Sequence, residues 1–400
     1  MSLARRLLSF STIPAVSALV PFLILPIVAR VGDDAWVGVA VGQSVGGFCA
    51  LVVGLGLNIV GPTLVASAPA SERADLFATG TRARLLASAP AAAIAAVAAA
   101  LLAPATQTAT AAVMAVAIAL GGLSASWYLV GVGRPLPLIA YELAPRALAT
   151  AAGGVVILLG GEVLWYPALL LAAILGGLGA FAVSVVRPGR LLGGGWRGSL
   201  AFARVHLPAA ATETVSGAYT SLAVTLVTAG TTTAQAAGYV SGDKLFRMGQ
   251  TVIGAQGNAL QGWVVEDGMA LLGGRARRAL VMHAVLGILG FAAFALLGPW
   301  LTSVLFADQA MDEATAILFG VAVLCISLTT SLGRHALVPL GRTKAVFASV
   351  VAGAVVGVPT TLVLSALWGS VGGAAGLASA ELVVLLVQIA LLVGARKKAA

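Results

Sequence analysis

Apolar stretches of about 20 residues follow one another along the whole chain, separated by short polar gaps. They do not alternate at period two, so each reads as a helix rather than a strand. In lipid only helices and closed barrels satisfy the backbone. The pattern predicts an all-α membrane protein of about 12 transmembrane helices in two six-helix lobes. The expected spans are 7–29, 36–57, 85–103, 109–130, 136–159 and 164–186, then 205–229, 236–264, 279–301, 314–332, 345–367 and 372–393.

Charge fixes the orientation. Of the 23 basic residues, nineteen fall in alternate gaps or tails: Arg5 and Arg6, Arg73/Arg82/Arg84, Arg134, Arg187–Arg204, Arg275–Arg278, Arg334–Lys344 and Arg396–Lys398. Arg30 lies in an opposite gap, and Arg146, Lys244 and Arg247 lie within spans. The opposite gaps carry Asp33, Asp34, Glu162, Asp308, Asp312 and Glu313. Basic residues mark cytoplasmic loops, so both termini are expected in the cytoplasm and the protein in the cytoplasmic (inner) membrane as a multi-pass chain. Six of the seven tryptophans stand near span ends, Trp127 being deeper. Span 7–29 is too long for a signal peptide and lacks a small-residue cleavage site, so it is expected to stay attached.

Composition agrees. The chain is 60% hydrophobic and 9% charged, with a mean hydropathy of +1.04, which requires lipid as the solvent. The net charge of +9 is scattered through loops, so no nucleic-acid partner is expected; membrane lipids are. Cys49 and Cys325 lie in apolar runs and read as packing residues. There is no GxxxxGK[ST] phosphate loop, no metal-ligand cluster and no converging Ser/His/Asp set. The expectation is a non-enzyme without a cofactor, with proton or sodium coupling open.

The halves look related. A shift of 200 residues aligns Gly38, Gly42, Gly54 and Asn58 with Gly238, Gly242, Gly254 and Asn258. Pro14-Ala15 parallels Pro208-Ala209, and Gly133-Arg134 parallels Gly341-Arg342. This favours a six-plus-six duplication with parallel repeats. The expected domains are 1–190, a cytoplasmic linker at 191–204, and 205–400. Most of the 49 glycines are expected to let helices approach, as in Gly38-x-x-x-Gly42 and Gly353-x-x-x-Gly357.

Charges inside spans carry the functional signal, because each costs roughly 2.5–3.5 kcal/mol at mid-bilayer. Asp243, Arg247, Gln250, Gly254 and Asn258 share one face of the eighth span, with Lys244 on its flank. The stripe lines a wet cavity, or else holds a buried Asp243–Arg247 pair. In the second span Gln43, Gly47, Gly54 and Asn58 share a face. The seventh offers Glu213, Ser216 and Thr220, with Glu213 either structural or functional. Glu142 and Arg146 stand at i, i+4 and favour pairing, the alternative placing Arg146 in an anion site. Glu381 reads as structural; His206, His283 and His335 read as interfacial.

The segment Ser124-Ala-Ser-Trp127-Tyr128-Leu-Val-Gly-Val-Gly133-Arg134-Pro135, followed by Tyr141-Glu142-Leu-Ala-Pro145-Arg146, resembles O-antigen and related polysaccharide flippases of the multidrug/oligosaccharidyl-lipid/polysaccharide (MOP) exporter superfamily. The resemblance implies a two-lobed bundle with spans one, two, seven and eight around a central cavity. It also implies a glycan on a polyprenyl diphosphate as cargo, moved by alternating access during cell-surface polysaccharide biosynthesis, beside pathway glycosyltransferases and a polymerase. A diphosphate needs cations. Lys244, Arg247 and then Arg146 are the candidates for it, and Gln43, Asn58, Gln250 and Asn258 for polar cavity contacts. Asp243 and Glu213 are the candidates for ion coupling. The alternatives are a cation-coupled multidrug antiporter on the same scaffold, or a membrane-embedded glycan polymerase, against which the short outer gaps argue.

Overall fold

A computed structural model describes residues 24–134, 136–186, 195–265 and 274–399. Among these the chain is almost wholly helical and contains no strand. The helices are α1 (Leu25–Ala29), α2 (Asp33–Gly54), α3 (Leu57–Ser67), α4 (Arg73–Leu102), α5 (Thr108–Gly121) and α6 (Ser126–Val132). A π-helical turn at Ile139–Leu143 leads into α7 (Ala144–Leu158), followed by α8 (Trp165–Val185), α9 (Trp196–Gly230) and α10 (Thr233–Val265). Then come α11 (Gly274–Phe306), α12 (Glu313–Ser331), a second π turn at Leu332–Leu337, and α13 (Thr343–Ala399). Among the described residues seven helical segments are long and apolar enough to cross a membrane.

These helices carry the expected spans from 36–57 to 372–393, with twelve membrane crossings fitting the architecture. Span 7–29 lies mostly outside the described residues; α1 is its last turn. Spans 345–367 and 372–393 both belong to α13, which is broken at Gly369 (φ 58°, ψ −130°). The two arms pack antiparallel. A Cβ on Gly353 would press on Val384, one on Gly357 on Ala380, and one on Gly376 on the Thr361 backbone.

One correction concerns the third span. Its helix starts at Arg73, three turns before the expected 85, so Arg82 and Arg84, expected in a gap between spans, are helical and buried. Arg84 is 1% exposed. Carbonyl partners about 40 residues further along the chain make that burial tolerable.

The chain forms two compact units. One is Asp34–Thr225; the other takes the described residues up to Asp33 and those from Leu226 on. In the first, α2 lies close on α5. A Cβ at Gly42 or Gly46 would stand 2.6 Å from the Ala111 or Ala115 carbonyl oxygen, so only glycine allows the approach. Trp127, from the flippase-like motif, slots against Gly61 and Gly80 and stacks on Phe77, with Tyr128 and Phe181 completing the cluster. In the second, Tyr239, Phe246 and Phe294 surround Phe319. Asp312 caps α12 by accepting from the Thr315 amide at 2.8 Å.

α2 and α3 are divided by two left-handed residues, Leu55 (φ 52°) and Gly56 (φ 70°). The break lies against α9 beside Pro208, and a Cβ on Gly56 would sit 2.5 Å from the Ala210 amide nitrogen. Gly56→Ala therefore combines strain with overpacking, at about 2 kcal/mol or more. Thermal unfolding in detergent should show a midpoint several degrees lower. An unchanged midpoint would mean that the break is not held against α9.

Candidate functional site

Among the described residues each unit holds small clusters of polar groups on its helices. In the second unit the cluster lies on α10. Asp243 is 2% exposed and accepts from Arg247 Nε at 2.7 Å. Lys244, also buried, lies in the field of the same carboxylate. Tyr239 stands one turn earlier on that face with its hydroxyl buried and unbonded. One acid thus serves two cations, and the Arg247 side chain is 41% exposed. The expected Asp243–Arg247 pair exists.

Further along α10 the stripe opens. Gln250 is half-buried, a Cβ on Gly254 would meet nothing within 4 Å, and Asn258 is exposed. Asn258 accepts a hydrogen bond from Arg334 of the second π turn. Arg334 thus joins the lower end of the stripe, although the sequence placed it in a loop.

The first unit repeats the charge arithmetic at the break between α5 and α6. Arg84 donates to the carbonyls of Ser124 (2.8 Å) and Gly122 (3.3 Å), which end α5, and lies 5.4 Å above the Trp127 ring. Glu142, in the first π turn and 5% exposed, accepts from the Ala125 amide at 2.8 Å, which begins α6. A cation thus meets the carbonyl end of one half-helix and an anion the amide end of the next, as their dipoles require. Arg146 pairs with Glu142 at 3.4 Å, as its i+4 spacing predicted, and its side chain is 29% exposed. Arg84 Nε and Nη2 and Arg146 Nε are buried without a hydrogen bond.

The α2–α3 break brings Asn58 to α9, where its amide donates to Glu213 Oε1 at 2.9 Å. Glu213 Oε2 is buried and has no hydrogen-bond partner. Gln43 does not join this pair; it bonds Tyr166 of α8. Its neighbour Ser44 accepts from the Thr225 hydroxyl at 2.8 Å and donates to the Ser221 carbonyl at 2.6 Å, pinning α2 to α9.

The structure thus brings Asp243, Lys244 and Arg247 together, pairs Asn58 with Glu213, and sets Arg146 beside Glu142. Sequence reasoning missed Arg84 and Arg334, both assigned to loops. It also read His283 and His335 as interfacial, whereas they are 0% and 2% exposed. The available signals were the Gly121-Gly122 pair that breaks the fourth span opposite Arg84, and Gly257, whose missing side chain admits Arg334. Among the described residues no group of three or more His, Cys, Asp or Glu could hold a metal ion.

No protein-family profile matches the chain, and no curated protein matches it in sequence. Solved structures do match it. The inward closed conformation of the lipid II flippase MurJ superposes with a TM-score of 0.76 at 12% identity, over 96% of this chain and 87% of that one. An inward-facing multidrug resistance MATE family transporter of the MOP superfamily gives 0.73 at 15% identity, over 99% and 100%. A MOP superfamily transporter from Pyrococcus furiosus, described as having a binding pocket of reversed polarity, gives 0.51 at 13% identity, over 100% and 96%. The fold is that of MOP superfamily transporters.

Proposed function

We propose that this chain is a MOP-type flippase that moves an oligosaccharide on a polyprenyl diphosphate across the cytoplasmic membrane by alternating access, with both termini in the cytoplasm and its halves arising from a six-plus-six repeat. The observation that carries this reading is the repeated grouping of cations about a buried acid. Each unit holds two cations around one buried carboxylate, and in each the arginine four residues after the acid is the more exposed. A buried acid fixes the arginine's base and holds its guanidinium, a planar fork suited to phosphate, at a part-exposed position. Arg247 and Arg146 are the direct contacts; Lys244, being buried, adds charge behind Arg247. Gln250 and Asn258 serve sugar hydroxyls, as do Gln43 and Asn58. Similarity of fold to a lipid II flippase supports a lipid-linked cargo, and glycosyltransferases and a polymerase of the same pathway would be its neighbours.

The second reading, a cation-coupled multidrug antiporter, is favoured by one observation: Glu213 has a buried, unbonded oxygen able to take a proton or sodium ion. In the flippase reading the same group, or Asp243, is the coupling site. The two readings separate by the charge of the cargo. Purified protein in vesicles should reorient a labelled polyprenyl-diphosphate glycan between leaflets, while leaving a cationic dye gradient unchanged. Dye movement without glycan reorientation would select the antiporter.

A further inference from the structure

His283 of α11 and His335 of the second π turn lie face to tilted face, ring centroids 5.4 Å apart, both buried. Their protonation follows from the hydrogen bonds around them. The Ser327 hydroxyl has one proton and gives it to the His283 carbonyl at 2.6 Å. Toward His283 Nδ1, 3.3 Å away, Ser327 Oγ can therefore only accept, so Nδ1 carries the hydrogen. His283 Nε2 is then a bare lone pair, and it is buried with no partner. His335 is the opposite tautomer. Its Nε2 faces the Gly257 carbonyl at 3.1 Å and must carry the hydrogen, while its Nδ1 accepts from Ser331 at 3.3 Å.

Each packed element contributes one face of this pocket. α10 supplies the Gly257 carbonyl and the Asn258 amide, α12 the hydroxyls of Ser327 and Ser331, and α13 reaches the π turn at Gly333 with Gln388. The charged group that bears on both rings is Arg334. Two contacts tie α10 to the π turn: His335 to the Gly257 carbonyl and Arg334 to Asn258. π turns occur as single turns within α-helices and are frequent at functional sites.

We propose that His283 and His335 form a proton-binding latch, closed when both rings are neutral and opened when the His283–His335 pair takes up a proton. An added hydrogen on His283 Nε2 would meet no acceptor in the closed arrangement and would face the Arg334 charge. Opening lets the imidazolium reach water, so the proton binds the open arrangement more tightly and shifts the population toward it. The closed latch therefore dominates at neutral and higher pH, and its share falls as the pH drops. Use of this proton to drive transport rests on the flippase reading; proton binding itself does not.

The chain has three histidines, so the full-length protein labelled with 15N-histidine in nanodiscs gives three resolvable ring pairs. At pH 7.5 one ring should be the Nδ1–H tautomer, with signals that vanish in His283→Gln. Another should be the Nε2–H tautomer, with signals that vanish in His335→Gln. Between pH 7.5 and 5.0, hydrogen exchange over 332–342, corrected for intrinsic rates, should quicken about tenfold, which corresponds to one unit of proton-affinity difference. His283→Gln should flatten that dependence. Identical tautomers on the two rings, or wild-type exchange that ignores pH, overturns the latch whatever the transport assay gives. Failure of glycan reorientation with both signatures intact overturns the flippase reading alone.

Discussion

Arg247→Ala should reduce reorientation of a diphosphate-linked glycan by about 10- to 100-fold, the equivalent of losing one or two charge-assisted hydrogen bonds in the loaded state. The protein should survive the change. Asp243 keeps Lys244 as a countercharge, so the penalty of a wholly unpaired buried carboxylate does not apply. Arg247→Lys retains the charge but not the planar fork, and should fall between wild type and alanine. Asp243→Asn separates anchoring from ion coupling. It leaves both cations in place, so inorganic diphosphate should still bind. Transport should stop only if Asp243 also carries the coupling ion. Vesicle reorientation and diphosphate binding by calorimetry measure the two effects; full activity in Arg247→Ala would remove this cluster from the cargo path.

Arg84→Ala should damage folding more than either Arg247→Ala or Gly56→Ala. Its guanidinium holds two carbonyls at the α5–α6 break, covers Trp127, and lies in the field of buried Glu142. Removing it leaves Glu142 with Arg146 alone, at 3.4 Å and part-exposed. Breaking a buried charge network costs about 3–5 kcal/mol, a large share of an ordinary folding free energy. Monodisperse protein in detergent should largely disappear, and Arg84→Lys should recover only part of it, since one ammonium cannot span both carbonyls and stack on an indole. Size-exclusion profiles of a fluorescent fusion would check this. A normal profile for Arg84→Ala would show that the break holds itself.

The spans were legible because lipid imposes a length and a composition that no local detail can hide. The stripe on α10 was legible for the same reason: polar residues at helical spacing stand out against a 60% hydrophobic chain. What stayed hidden was set by partners distant in sequence. Arg84 looks like a loop residue until the carbonyls 38 and 40 residues later are seen to receive it. His283 and His335 look interfacial until their partners 44 and 78 positions away enclose them. The helix breaks divide likewise. Gly121-Gly122 announces one, whereas Leu55, a leucine at positive φ, marks a place where packing on α9 overrides local preference.

The bend at Gly369 has a consequence for biogenesis. Past it, Leu364 faces Gly372 and Thr361 faces Gly376 so closely that a methyl group at either glycine would collide with backbone. No slack chain exists at the bend to let one arm settle while the other waits. The last two crossings should therefore enter the bilayer as a single folded pair. A chain truncated at residue 369 should leave its eleventh crossing incompletely inserted, read by glycosylation of an acceptor site engineered at the bend, and one ending beyond residue 393 should restore full insertion.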